Sequence, residues 1–285
     1  MAEVDHHIAQ WVRGHLPYLA LALLLVWVLR LKGADVRHRW FAFLMYFINK
    51  NTKNPKIEEL KRDFFSSLGS VASHDPVLRK QNGIKILEIG VGTGVNFSYY
   101  PDGSHLIVVD PNPHFANYYN ENRKKYPNIH SEEILSLQVR RRTRLRGRGP
   151  GEAMTGVADS SVDVVVVTLV LCSVDNVDQI LKQVLRVLVP VSPPALGRLL
   201  GGKFYALEHV REFDNNHWVR QSLQEWLTIS GLWPFLFDGC CLNRDCLAAI
   251  RSAGFSKVEA VMSYTPLTSI HFQLIKPHLE AIAIK

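Results

Sequence analysis

From about residue 56 onward, apolar positions follow two alternating patterns. In "KIEELKRDFFSSL", Ile57, Leu60, Phe64 and Leu68 fall three or four residues apart, which predicts a helix docking one face ahead of the main fold. "KILEI" (85–89), "HLIVVD" (105–110) and "SVDVVVVTLVL" (161–171) are nearly unbroken apolar runs, as expected of strands buried on both faces. "VDQILKQVLRVL" (177–188) returns to helical spacing, and "GGKFYALEHV" (201–210) reads as another strand. "SKVEAVMSY" and the terminal "EAIAIK" read as a closing pair of strands. Strands alternating with helices predict a doubly wound, Rossmann-like α/β sheet covered on both faces.

The first 50 residues differ in kind. "LPYLALALLLVWVL", Leu16 to Leu29, holds no charge, and a second apolar patch, "WFAFLMYFI", follows from Trp40 to Ile48. Fourteen helical residues reach roughly 21 Å, short of the ~30 Å hydrocarbon core. A cleaved signal peptide fits poorly, because Glu3 and Asp5 precede the run and no small-residue cleavage site follows it. The segment is therefore expected to be a retained membrane anchor over residues 1–50, either a short span or a hairpin in one leaflet. Arg30, Lys32, Arg37, Arg39, Lys50 and Lys53 follow the run and place residues 51–285 on the cytosolic side.

Composition adds limits. The 285 residues, 47% hydrophobic, suffice for one substantial core and an appendage. The net charge of +7 is local: "VRRRTRLRGRG" carries Arg140, Arg141, Arg142, Arg144, Arg146 and Arg148, and without these six the net charge is +1. Cys172, Cys240, Cys241 and Cys246 form neither a CxxC pair nor a zinc-type array along the chain, so neither a disulfide framework nor a metal is expected.

The candidate chemistry begins at "IKILEIGVGTGVNFSYY" (84–100), a strand running into a glycine-rich turn and then an expected helix. The third glycine falls one residue too early for the dinucleotide fingerprint, and the lysine of a phosphate-binding P-loop is missing. What stands there is E-x-G-x-G-x-G: Glu88, Gly90, Gly92 and Gly94. An acid beside the turn would repel a pyrophosphate but tolerates S-adenosylmethionine, which carries a sulfonium and an ammonium. Asp110, at the tip of the next strand, can accept hydrogen bonds from ribose hydroxyls.

With "LEIGVGTGVNFSYYPDG", "VVDPNPHF", "VADSSVDVVVVTLVLCSV", "LEHV", "LFDGC" and "LIKPHLEAIAIK", residues 56–285 resemble the membrane-anchored, methyltransferase-like thiol S-methyltransferases of endoplasmic reticulum and lipid droplets. The resemblance implies a class I methyltransferase sheet and methyl transfer from S-adenosylmethionine to small apolar thiols. It also implies that Gly90, Gly92, Gly94 and Asp110, with Glu88, hold the cofactor, and that Glu152 of "GEAM" lies by the adenine. Two stretches depart from the family's pattern: irregular insertions near 136–150 and 190–200, rich in Arg, Pro, Gly or Ser, read as exposed loops or gene-model errors. The first puts the third strand and Glu152 in doubt.

On the acceptor side, His209 is the candidate general base and Asp238, in "LFDGC", a second catalytic candidate. His209 reads equally well as a hydrogen-bonded support for its strand end, and Cys172 reads as a small packing residue rather than a nucleophile. "EWLTISGLWPFLFDG" can cover the acceptor as an apolar lid or simply join the core. Three functions stay open: a thiol methyltransferase on a cytosolic membrane face, which is favoured; an RNA or protein methyltransferase using the arginine run; and a non-catalytic membrane or lipid-droplet scaffold. The arginines have no interleaved aromatic residues and no RNA-binding fold around them, which argues against nucleic acid.

Overall fold

The computed structural model describes residues 16, 18, 20, 21, 24, 27, 33, 35–51, 54–136, 154, 156–191, 201–267 and 270–285. Glu152, the arginine run and most of the second insertion lie outside the described residues, as does much of the expected anchor. The described residues of the anchor are helical, with 35–51 forming a continuous helix, α1. Among the described residues, no helix is long and apolar enough to cross a membrane.

Seven strands make one sheet: β1 (Lys85–Ile89), β2 (His105–Asp110), β3 (His130–Ser136), β4 (Val164–Thr168), β5 (Lys203–His209), β6 (Lys257–Tyr264) and β7 (Pro277–Ile284). Their order is β3-β2-β1-β4-β5-β7-β6. The first five are mutually parallel, and β7 runs antiparallel to both β5 and β6. The chain reverses its direction of travel across the sheet between β3 and β4, on either side of β1. Folds of this kind bind ligands at that point, outside the carboxyl ends of the strands.

Helix α3 (Pro76–Lys80) leads into β1. Helices α4 (Ala116–Arg123), α5 (Val177–Val187), α6 (Trp218–Ile229), α7 (Leu232–Leu236) and α8 (Cys246–Ser252) connect the later strands, and strand alternation divides the core in two. Leu87, Ile89, Val165, Val167, Phe204 and Ala206 face one side, where α5 contributes Ile180, Leu181, Val184 and Val187. Ile86, Val164, Val166, Tyr205 and Leu207 face the other, against Phe64 and Phe65 of α2 (Pro55–Phe65) and Leu68 just beyond it. The α2 helix starts as its sequence dictates, with Asn54 accepting from the Lys56 N–H and Pro55 in the first turn.

Three expectations need correction. The glycine turn leads not into an α-helix but into one 3-10 turn, Phe97–Tyr99. Tyr100 precedes Pro101, which disfavours helical backbone, and it is extended at φ −82°, ψ 139°. The strand expected over 161–171 ends at Thr168, because Leu169 turns into the left-handed region at φ 57°. The third strand, in doubt because of the insertion, is present as the edge strand β3, with a register shift against β2 between Leu106 and Ile107.

Candidate active site

The carboxyl ends of β1, β2, β4 and β5 converge on the glycine loop. Gly90, Gly92 and Gly94 all have positive φ (69°, 52° and 73°), which only glycine adopts cheaply. Their reasons differ. A Cβ on Gly90 would lie 2.4 Å from Val170 Cγ2, and one on Gly94 would lie 2.3 Å from the Phe97 ring. At Gly92 the nearest atom would be 3.9 Å away, so this glycine leaves room above the loop, as the close approach of a cofactor requires.

Asp110 is tied to that loop. Its Oδ2 accepts from the Gly92 N–H at 2.7 Å and its Oδ1 from the Asn112 N–H at 2.8 Å. Burial raises its pKa to about 6 against the pull of those two amides. Each carboxylate oxygen keeps a further acceptor position, so ribose hydroxyls can be added to this arrangement.

Glu88 lies beneath the loop. It is 2% exposed, its Oε1 accepts from Asn96 Nδ2 at 2.8 Å, and burial raises its pKa to about 7. The same amide donates to Thr168 Oγ1 at 3.1 Å, linking the loop to the end of β4. The Glu88 carboxyl therefore braces the turn from below through Asn96.

His209 and Asp238, the two catalytic candidates, point at different partners. His209 is buried, with Nε2 3.0 Å from Cys240 Sγ and Nδ1 without a hydrogen-bond partner among the described residues. Burial opposes its charge, yet the neighbouring Cys172 and the Glu208 carboxyl hold its pKa above the ordinary imidazole value. Asp238 sits at φ 50° in the loop after α7 (Leu232–Leu236) and pairs with His38 Nδ1 at 2.9 Å. Glu208, also fully buried, accepts from the Val170 and Leu171 N–H groups at 2.8 and 3.0 Å. It thereby fixes the turn that carries Val170 against Gly90 and Cys172 beside His209.

Nothing in the residue pattern indicates that α1 crosses this site. Asn49 donates to Thr93 Oγ1 in the glycine loop at 3.0 Å, and Tyr46 stacks on Tyr118 at 4.3 Å. Asn112 Nδ2 donates to the His38 carbonyl at 2.9 Å and reaches Asp238 Oδ2 at 3.3 Å. Arg37 lies over the Phe235 ring of α7 at 5.0 Å. Helix α1 and the α7 loop thus meet over Asp110, and part of the segment expected to be anchor covers the cofactor loop. Of "EWLTISGLWPFLFDG", read as lid or core, the α7 part packs against α1. Trp233 and Phe237 stack 4.1 Å apart within that part, while Trp226 of the preceding helix is 61% exposed.

The chain matches a family model described as a methyltransferase domain over residues 87–192. It is 34% identical to the human thiol S-methyltransferase TMT1A over 251 residues, covering 87% of this chain and 86% of that protein. It is 31% identical to human thiol S-methyltransferase TMT1B over 270 residues, covering 95% of this chain and 93% of that one.

Proposed function

We infer, for a chain that belongs to the thiol S-methyltransferase family of TMT1A and TMT1B, that its acceptors are small apolar thiols and that it works at the cytosolic face of a membrane. Membership makes the chain an S-adenosylmethionine-dependent methyltransferase acting on thiols. The finer reading rests chiefly on one observation: the cover over the loop is aromatic and apolar, with Trp233, Phe235 and Phe237 partly buried in it. Such a surface favours an alkyl or aryl thiol over a large polar acceptor.

S-adenosylmethionine supplies a methyl group on a positively charged sulfur. Asp110 and the backbone of Gly90 to Gly94 hold the nucleoside. The cover of α1 and α7 excludes water and lines up the acceptor sulfur, and alignment of this kind can supply about 7–11 kcal/mol. Ionising a thiol of pKa near ~8.5 costs only about 2 kcal/mol at neutral pH, so a modest base suffices. His209 is the candidate to take that proton, and Asp238 orients His38 of the cover.

Membrane attachment is supported by the uncharged run from Leu16 to Leu29 and by Leu21, Leu24 and Trp27 standing more than half exposed. Endoplasmic reticulum and lipid droplets are the proposed locations, with the catalytic domain in the cytosol. Co-flotation with liposomes tests attachment: the full chain should float, and a chain lacking residues 1–30 should stay in the soluble fraction while keeping its cofactor affinity. Equal flotation of both would refute the attachment proposed here. Turnover of a series of straight-chain thiols against hydrophilic ones such as glutathione tests the acceptor class. A preference for glutathione would contradict it.

A further inference from the structure

Three soft donors converge beside the acceptor side of the strand ends. Cys172 follows β4, His209 ends β5 and Cys240 follows α7, yet their ligand atoms all lie within 4.8 Å of one another. All three side chains are buried and both thiols are free. Each donor is fixed from its own element. The Glu208 carboxyl holds the turn before Cys172, the sheet holds His209, and the Cys241 N–H donates to the Cys172 carbonyl at 2.8 Å, which closes the Cys240 loop onto the Cys172 turn.

Ordinary packing would not require two sulfurs and an imidazole nitrogen to face one point. Two thiolates and one neutral imidazole are a donor set for a thiophilic cation. Zinc with sulfur at ~2.3 Å and nitrogen at ~2.0–2.1 Å would place its donors about 3.6 Å (N to S) and about 3.8 Å (S to S) apart. His209 Nε2 and Cys240 Sγ are 3.0 Å apart and all three donor atoms lie within 4.8 Å, a span that brackets those values. A divalent ion with two thiolates is also neutral overall, which suits a buried position better than any separate charge.

The surroundings fit thiolates as well. Trp233 Nε1–H points at Cys240 Sγ from 3.4 Å, and the Ser173 hydroxyl lies 3.4 Å from Cys172 Sγ. Donors directed at ligand sulfurs orient and tune metal sites. Among the described residues the cluster holds three protein donors, the number typical of sites that keep one position for a reacting ligand. Val170, two residues before Cys172, packs against Gly90, so the cluster adjoins the glycine loop.

We propose that Cys172, His209 and Cys240 bind a zinc-type divalent cation whose fourth position takes the sulfur of the acceptor thiol. The last step rests on the thiol methyltransferase reading. With its ring nitrogen on the cation His209 no longer takes the proton: the acceptor's sulfur forms a bond to the cation while its S–H bond breaks and the proton leaves to solvent. After transfer the product is a neutral thioether, a weaker ligand that dissociates.

Cobalt(II) added to metal-stripped full-length protein tests this without turnover. The expected result is one equivalent of cobalt bound, with a near-ultraviolet sulfur-to-cobalt charge-transfer band that shifts when 1-propanethiol is added. Cys172→Ser and Cys240→Ser should each weaken the band at least severalfold while S-adenosylmethionine binding, measured by calorimetry, shows the fold intact. No band in the wild-type protein would overturn the proposal, and so would a band unchanged in both variants or one indifferent to the thiol. The wild-type spectrum decides even if a variant fails to fold. Absence of methyl transfer alongside an intact cobalt band would count against the thiol reading and leave the metal site standing.

Discussion

A methyl group on Gly90 has nowhere to go, since Val170 Cγ2 would lie 2.4 Å away, whereas one on Gly92 meets nothing nearer than 3.9 Å. Both positions have positive φ, worth about 1–3 kcal/mol to any other residue. Overpacking adds about 1–3 kcal/mol at Gly90 alone. Gly90→Ala should therefore lower stability by at least ~1 kcal/mol more than Gly92→Ala in urea unfolding, and equal losses would contradict this division. Asp110 offers a second prediction. Its folded-state pKa, raised by burial from 3.8 to about 6, means that ionisation costs stability as pH rises from the lower value to the higher. Ribose hydroxyls favour the ionised form, so affinity for S-adenosylmethionine should rise with pH through about 6, by up to about tenfold per unit below it, and then level off. Asp110→Asn should remove that dependence, and a profile unchanged in the variant would place the titrating group elsewhere. These residues were legible in the sequence because a glycine turn and the tip of the adjacent strand lie close along the chain. The pairing of His38 with Asp238 spans 200 positions and left no local signal.

Among the elements, periodicity located those whose burial repeats regularly. The β1, β2 and α5 elements fall within a residue of expectation because β1 and β2 are unbroken buried runs and α5 buries positions about 3.6 apart. It failed where one residue decides the backbone: Pro101 prevents the helix after the glycine loop, and the left-handed Leu169 ends β4 early. It left open which surface α1 covers, since an apolar face fits a lipid surface and a protein surface equally well. Phe41 meets Phe115 at 6.0 Å and Ala42 is 1% exposed, while Phe43 and Phe47 remain about half exposed. The contact with Asp238 raises the His38 pKa, chiefly through the hydrogen bond. A raised folded-state pKa makes the contact strongest below the ordinary histidine value of about 6.5 and loses it as pH rises through the raised one. Hydrogen exchange over residues 35–51 should accordingly quicken as pH rises through the raised His38 value, after correction for intrinsic exchange. His38→Ala should show fast exchange at every pH. Protection that is independent of pH and of the substitution would mean that the pair does not hold the helix.

For the molecule as a whole, alternating strands and helices made the α/β class readable, and the strand order follows from connections that the sequence does not display. The Cys172, His209 and Cys240 cluster was illegible for the same reason, since each donor comes from a different strand end or loop. Charge was readable but localised: removing residues 138–149 takes away most of the excess positive charge, so thiol methylation should survive the deletion with less than about a threefold loss. Salt-sensitive RNA binding that disappears with the deletion would revive the nucleic-acid reading. Above all, the loop of Gly90 to Gly94 with Asp110 is proposed to deliver a methyl group to a thiol. The most direct test is transfer of labelled methyl from S-adenosylmethionine to a panel of small alkyl thiols, comparing wild type with Asp110→Ala. Labelled methyl thioethers are expected from the wild type, with at least a hundredfold loss of kcat/KM in the variant, about 2.7 kcal/mol. Equal turnover by both proteins, or cofactor binding without any thiol methylation, would contradict this role of the loop.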